Sequence, residues 1–202
     1  MRSRLGVAFG APTLLNIDKS TVTGNSAQFG GGAFLGGKDS IYNSTISGNG
    51  AASSGGGIVS NSINDVLIVN STIAANKAGA LFGGGILDFR GTIRLSNSTV
   101  SGNSAPSGGG VFGTIGLVQN TIIANNTGGN CDTTQNVTSA GYNLSSDNTC
   151  NFNNTGDLNN TDPMLGPLQN NGGPTQTMAL LPGSPAIDWA TPQAARTAPA
   201  FS

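Results

Sequence analysis

The chain has 202 residues, a net charge of −1 and only 8% charged residues, so it lacks the basic excess that nucleic-acid and other polyanion binders carry. It contains no His and no Glu, and all nine acids are Asp, which excludes a Ser-His-Asp triad, a Cys-His pair and a His-ligated zinc site. Glycine reaches 32 residues, yet charge is scarce and β-branched residues recur at regular places, the mark of a turn-rich β protein rather than a disordered one.

In chain order, "MRSRLGVAFGAPTLL" has a basic start and an apolar stretch, but Gly and Pro interrupt it and no A-x-A cleavage site follows. It reads better as the end of a repeat: "GVAFGAPTLLNIDKSTVTGN" matches "GGGVFGTIGLVQNTIIAN" when Val7 to Phe9 stand for the strand after the glycines. The chain would then begin inside a coil, with an open strand edge that invites association or belongs to a longer protein.

A heptad then recurs five times: KSTVTGN, NSTISGN, NSTIAAN, NSTVSGN and QNTIIAN. Its Thr column is Thr21, Thr45, Thr72, Thr99 and Thr121; its apolar column is Val22, Ile46, Ile73, Val100 and Ile122. Asn25, Asn49, Asn76, Asn103 and Asn125 end the heptads, and Ile17, Ile41, Ile68, Leu95 and Leu117 precede them. A glycine triplet follows each of the first four, leading into Ala33-Phe34, Ile58-Val59, Ile86-Leu87 and Val111-Phe112. The local period near two, the β-branched residues and the Gly and Asn punctuation argue against helix. The expected fold is all-β: a right-handed parallel β-helix of about six coils, one repeat per coil, over residues 5–126. The Val/Ile column should stack inside, the Thr column should face outward, and Asn should both bend the chain and bond along the axis.

The pattern fades after Asn125. Residues 127–190 should form irregular last coils and a cap, with Leu158, Met164, Leu165, Leu168, Met178, Leu180 and Leu181 folded over the last coil and 191–202 a loose tail. Cys131 and Cys150 suit a disulfide, and hence an oxidising, extracytoplasmic setting.

The repeats resemble those of bacterial β-helix surface proteins, including polymorphic outer-membrane proteins. The stretch "GYNLSSDNTC…GDLNNTDPMLGPLQNNGGPTQTMALLPGSPAID" resembles the end of choice-of-anchor Q domain proteins. That resemblance implies a secreted or surface-anchored module without assigned catalytic residues; the continuation "WATPQAARTAPAFS" departs from it.

The expected role is therefore non-catalytic: a stalk, adhesin or passenger segment with a carbohydrate or a host or cell surface as partner. No nucleic acid, cofactor, metal or membrane span in this chain is expected. Two alternatives remain open. A polysaccharide lyase or hydrolase would bring Asp39, Asp65 and Asp88 together with Arg90 or Arg94; paired carboxylates of a glycosidase stand about 5–9.5 Å apart. Ice binding would use the outward Thr column, although its companion column Thr23, Ser47, Ala74, Ser101, Ile123 is irregular. Asp157 and Asp162 in "GDLNNTD" read as a cap turn rather than a calcium loop.

Overall fold

The computed structural model describes residues 14–132 and 137–189. The expected strand at Val7–Phe9, the N-terminal leader reading and the tail at 191–202 lie outside the described residues.

Short strands follow one another around a rising path, and each pairs in parallel with its equivalent one repeat later. Face A holds Asn16–Asp18, Ser40–Tyr42, Asp65–Val69, Thr92–Ser96, Ile115–Gln119 and Val137–Ser139. Face B holds Thr21–Thr23, Thr45–Ser47, Thr72–Ala74, Thr99–Ser101, Ile122–Ala124 and Leu144–Ser145. Face C holds Ser26–Phe29, Gly50–Ser54 and Lys77–Ala78; face D holds Ala33–Leu35, Ile58–Ser60, Ile86–Asp88 and Val111–Phe112. The result is an all-β parallel solenoid of about five turns, slightly fewer than the six expected.

Inward residues make continuous apolar files. Val22 pairs with Ile46, Ile46 with Ile73 and Ile73 with Val100. The next member is Ile123, not Ile122. One register shift corrects the whole fifth repeat. Gly116 is the extra residue of a bulge, since Ile93 pairs with Ile115 but Arg94 with Leu117. Val118 therefore takes the interior place expected of Leu117, and Ile122 takes the outer place expected of Thr121.

The heptad bends twice. Lys19, Asn43, Asn70, Asn97 and Asn120 enter the left-handed region before face B, and Gly24, Gly48, Ala75, Gly102 and Asn125 enter it after face B. Short polar residues and glycine tolerate that region best. The two duties expected of one Asn column thus fall on neighbouring residues. Asn125 bends the chain, and Asn126 takes the stacking place expected of it.

The stacked amides form a ladder that starts at half-buried Asn25 and runs through buried Asn49, Asn76, Asn103, Asn126 and Asn130. Each backbone N–H and each Nδ2 donates to the Oδ1 of the next Asn, at 2.9 to 3.2 Å. The second Nδ2 hydrogen of Asn49, Asn76, Asn103 and Asn126 goes to the carbonyls of Val22, Ile46, Ile73 and Val100. Hydroxyls make a second ladder: Ser20, Ser44, Ser71 and Ser98 each donate N–H to the next hydroxyl in the file, which ends at Thr121. Each of those hydroxyls in turn donates to the carbonyl two residues back.

The glycine triplets allow coils to touch backbone to backbone. A Cβ on Gly31 would lie 2.4 Å from the Gly50 carbonyl oxygen and 2.5 Å from that of Gly56. The first glycine of each triplet, Gly30, Gly55, Gly83 and Gly108, also has positive φ.

Two substitutions separate bend from ladder. Asn76→Ala leaves the N–H and Nδ2 of Asn49 unpaired in the interior and should cost about 2–4 kcal/mol in urea unfolding. Asn125→Gly keeps the left-handed bend and should change stability by less than about 1 kcal/mol.

Candidate functional site

The loops that connect face D to face A stack at one corner, and most of the sequence-predicted site residues gather there. Gly91 packs against the carbonyls of Ser62 and Asn64, and the Ser62 hydroxyl donates to the Gly37 carbonyl, so loops 36–39, 61–64 and 89–91 lie one above another.

The carboxylates at this corner are already engaged or turned away. Asp39 is buried, and its two oxygens accept the N–H groups of Leu15 and Gly37 at 2.8 and 2.9 Å. It is a turn fastener. Asp65 is half-exposed and paired with Arg94 at 2.8 Å, an arrangement worth under about 1 kcal/mol. Asp88 sits in an inward file of face D, below Leu35 and Ser60, and only 5% of it reaches solvent. Arg90 is exposed. The corner therefore collects these residues without pointing two free carboxylates and a base at a common point. Among the described residues, no group of three His, Cys, Asp or Glu side chains could hold a metal ion.

Asp88 is chemically the odd residue. Neither oxygen meets a donor in hydrogen-bonding geometry, and the Ser60 hydroxyl above it is unpartnered too. Burial raises the pKa of its carboxyl above the ordinary carboxylate value, and the nearby Ser60 hydroxyl and Gly91 N–H offset only part of that effect.

What the corner does present is a cationic and apolar surface. Ile63 is 81% exposed and Phe89 54%, beside Lys38 and Arg90. Among the described residues the only ion pair is Arg94–Asp65, so Lys38 and Arg90 have no carboxylate partner there. Residue-type matching pointed to the acids, whereas the unpaired cations and the apolar tips are the feature that remains available.

The Thr column is not an open face. Thr45 and Thr72 are buried and Thr99 and Ile122 half-buried, leaving only Thr21 exposed; Thr121 belongs to the hydroxyl ladder instead. The C-terminal segment does not simply cap the last coil. Leu165–Gln169 and Thr177–Leu180 form an antiparallel hairpin that reaches back to the second coil. There the Thr45 hydroxyl donates to the Gln176 carbonyl at 2.6 Å, and the Thr175 hydroxyl donates to the Asn43 carbonyl at 3.2 Å. This contact buries Thr45 in the middle of the expected outward column.

The last coil is closed by Cys131 and residues 137–160. Cys131 and Cys150 form a disulfide, and both lie in the core with Phe152. Both ladders end on carboxylates, the hydroxyl ladder after the Thr121 N–H donates to Asn143 Oδ1 at 3.1 Å. Asp147 accepts from the N–H groups of Asn130 and Thr149. Asp157 accepts from Ser139 Oγ, from the N–H and Nδ2 of Asn143 and from the N–H of Asn154. Asp157 is thus a cap acceptor saturated by protein donors, and Asp162 receives the N–H of Met164 in a separate turn.

Neither a scan against protein-family models nor searches of curated proteins and of solved structures finds a match to this chain.

Because the folded Asp88 carboxyl holds its proton more tightly than the unfolded one, stability should fall as pH rises from about 4 through its elevated folded value, then level off. Asp88→Asn should raise the melting temperature at neutral pH and flatten that part of the pH profile. A variant with the same slope as the parent would show that Asp88 is not its source.

Proposed function

We propose that this chain is a non-catalytic, extracytoplasmic β-solenoid module, a surface stalk or adhesin segment that presents the corner between faces D and A. The observation that carries the reading is the engagement of the acids there. Asp39 fastens a turn, Asp65 is neutralised by Arg94 and Asp88 faces the interior, while Lys38, Ile63, Phe89 and Arg90 stand free to meet a partner.

Two further features support it. The Cys131–Cys150 disulfide suits an oxidising compartment. The resemblance of the heptads to β-helix surface proteins, and of the 141–188 stretch to choice-of-anchor Q domains, suits export to a cell surface. An anionic carbohydrate or cell surface is the partner that unpaired cations beside an exposed aromatic ring fit best.

The test has two arms on the intact chain. Across a polysaccharide panel, with and without calcium, no turnover is expected. On immobilised acidic glycans, retention is expected, and Phe89→Ala and Arg90→Ala should each weaken it about tenfold, as loss of one exposed anchor would. Turnover that disappears in Asp65→Ala would overturn the reading in favour of a carbohydrate-cleaving enzyme. Retention unchanged in both corner variants would place the binding surface elsewhere.

A further inference from the structure

Asn-Gly occurs twice in the chain, at Asn49-Gly50 and Asn171-Gly172. A glycine after asparagine has no Cβ to obstruct the approach of its backbone nitrogen to the side-chain carbonyl carbon, so by sequence both pairs are equally prone to close into a succinimide. The fold separates them.

In the ladder, both reacting groups of Asn49-Gly50 are held. The Gly50 N–H donates to the Asn25 carbonyl at 2.9 Å. Asn49 Oδ1 accepts two bonds from Asn25, and its Nδ2 donates to the Val22 carbonyl and to Asn76 Oδ1. Only 2% of Asn49 reaches solvent. Ring closure there requires the coil to come apart.

Asn171-Gly172 stands at the tip of the C-terminal hairpin, between the strands Leu165–Gln169 and Thr177–Leu180, and both residues are exposed. Gly172 has a φ of 92°, and a Cβ on it would meet nothing within 4 Å. Its N–H donates to the exposed Asn170 Oδ1 at 2.9 Å, a bond that opens to water without unfolding of the stack. The Asn171 amide clamps the tip. Its Nδ2 donates to the carbonyl and the hydroxyl of Thr177 at 2.9 and 3.0 Å, and its Oδ1 accepts from Gln169 Nε2 at 3.1 Å. The clamp closes the segment that carries Thr175 and Gln176, through which the hairpin bonds to Asn43 and Thr45 of the second coil.

We propose that Asn171 is a site of spontaneous deamidation and that its conversion loosens the hold of the hairpin on the second coil. The Gly172 nitrogen gives its proton to solvent and attacks Asn171 Cγ; the Cγ–Nδ2 bond breaks and ammonia leaves. Water then opens the succinimide at one of its two carbonyls, to aspartate or to isoaspartate. Either product replaces the Nδ2 donor with a carboxylate. Aspartate sets that carboxylate against the Thr177 carbonyl, and isoaspartate lengthens the main chain of the tip by one carbon.

The test is ageing of the intact chain at mildly alkaline pH, read by peptide mapping with mass spectrometry and by NMR hydrogen exchange. In the folded protein Asn171 should convert at least about 100-fold faster than Asn49, because Asn49 reacts only through unfolding. In urea above the unfolding midpoint the two should convert at similar rates. Amides of both hairpin strands should exchange at least about tenfold faster in Asn171→Asp than in the parent, while the Thr72 amide, bonded to the Ser44 carbonyl within the stack, should not change. Equal rates at the two sites in the folded chain would overturn the assignment, as would a gap that persists in urea. Hairpin exchange unchanged in Asn171→Asp would overturn the loosening.

Discussion

A buried line of asparagine side chains holds the coils in register, and the rest of the structure depends on it. Apolar files alone would let one coil slide against the next, because isoleucine stacks on valine or isoleucine with little directional preference. The Asn ladder does not allow this. Each Asn from Asn49 to Asn126 fills its carbonyl oxygen with two donors from the Asn before it, sends its backbone N–H and one Nδ2 hydrogen to the Asn after it, and returns the other Nδ2 hydrogen to a carbonyl of the coil before. A slip of one residue would leave several buried donors without acceptors, each costing about 1–3 kcal/mol, and would turn every inward side chain outward.

Fixed register explains the remaining features. Left-handed residues before and after face B make it short enough for the Asn to turn inward immediately after it. The glycine triplets let the backbone arcs between faces C and D approach to distances that no side chain tolerates. Apart from bulges within strands, such as the one at Gly116, variation in repeat length falls in the connections, and the corner between faces D and A is where the chain places Lys38, Ile63, Phe89 and Arg90. The ladders also have direction. The donors that link one rung to the next point toward the closed end, where the carboxylates of Asp147 and Asp157 terminate them with charge-assisted bonds, and the acceptors of those links face the opposite way.

Much of this was legible in the sequence because the repeat period, the β-branched column and the glycine triplets are local signals. The disulfide pairing of Cys131 with Cys150 was legible as well. The fifth repeat misled because Thr121 was matched to Thr99 by residue type. Its physical counterpart is Ser98, which shares the hydroxyl that bonds the carbonyl two residues back. The serine column Ser20, Ser44, Ser71 and Ser98 carried that signal and is visible before the Thr of each heptad. The covering of the Thr column was not legible. It depends on a hairpin more than 130 residues away in sequence, joined through Thr45 to Gln176 and through Thr175 to Asn43. The site was less legible still, since nothing local distinguishes the engaged acids Asp39 and Asp65 from the inward Asp88.

The most direct measurement is hydrogen exchange of the asparagine side-chain amides themselves, followed by NMR. Continuous bonding along the axis predicts that the Nδ2 protons of Asn49, Asn76, Asn103 and Asn126 exchange only through unfolding of the whole stack, with a common free energy, and show contacts to the Asn of adjacent coils. Exchange of these four as fast as that of the exposed Asn171 amide would contradict the account, because the interior line of amides would then not be formed.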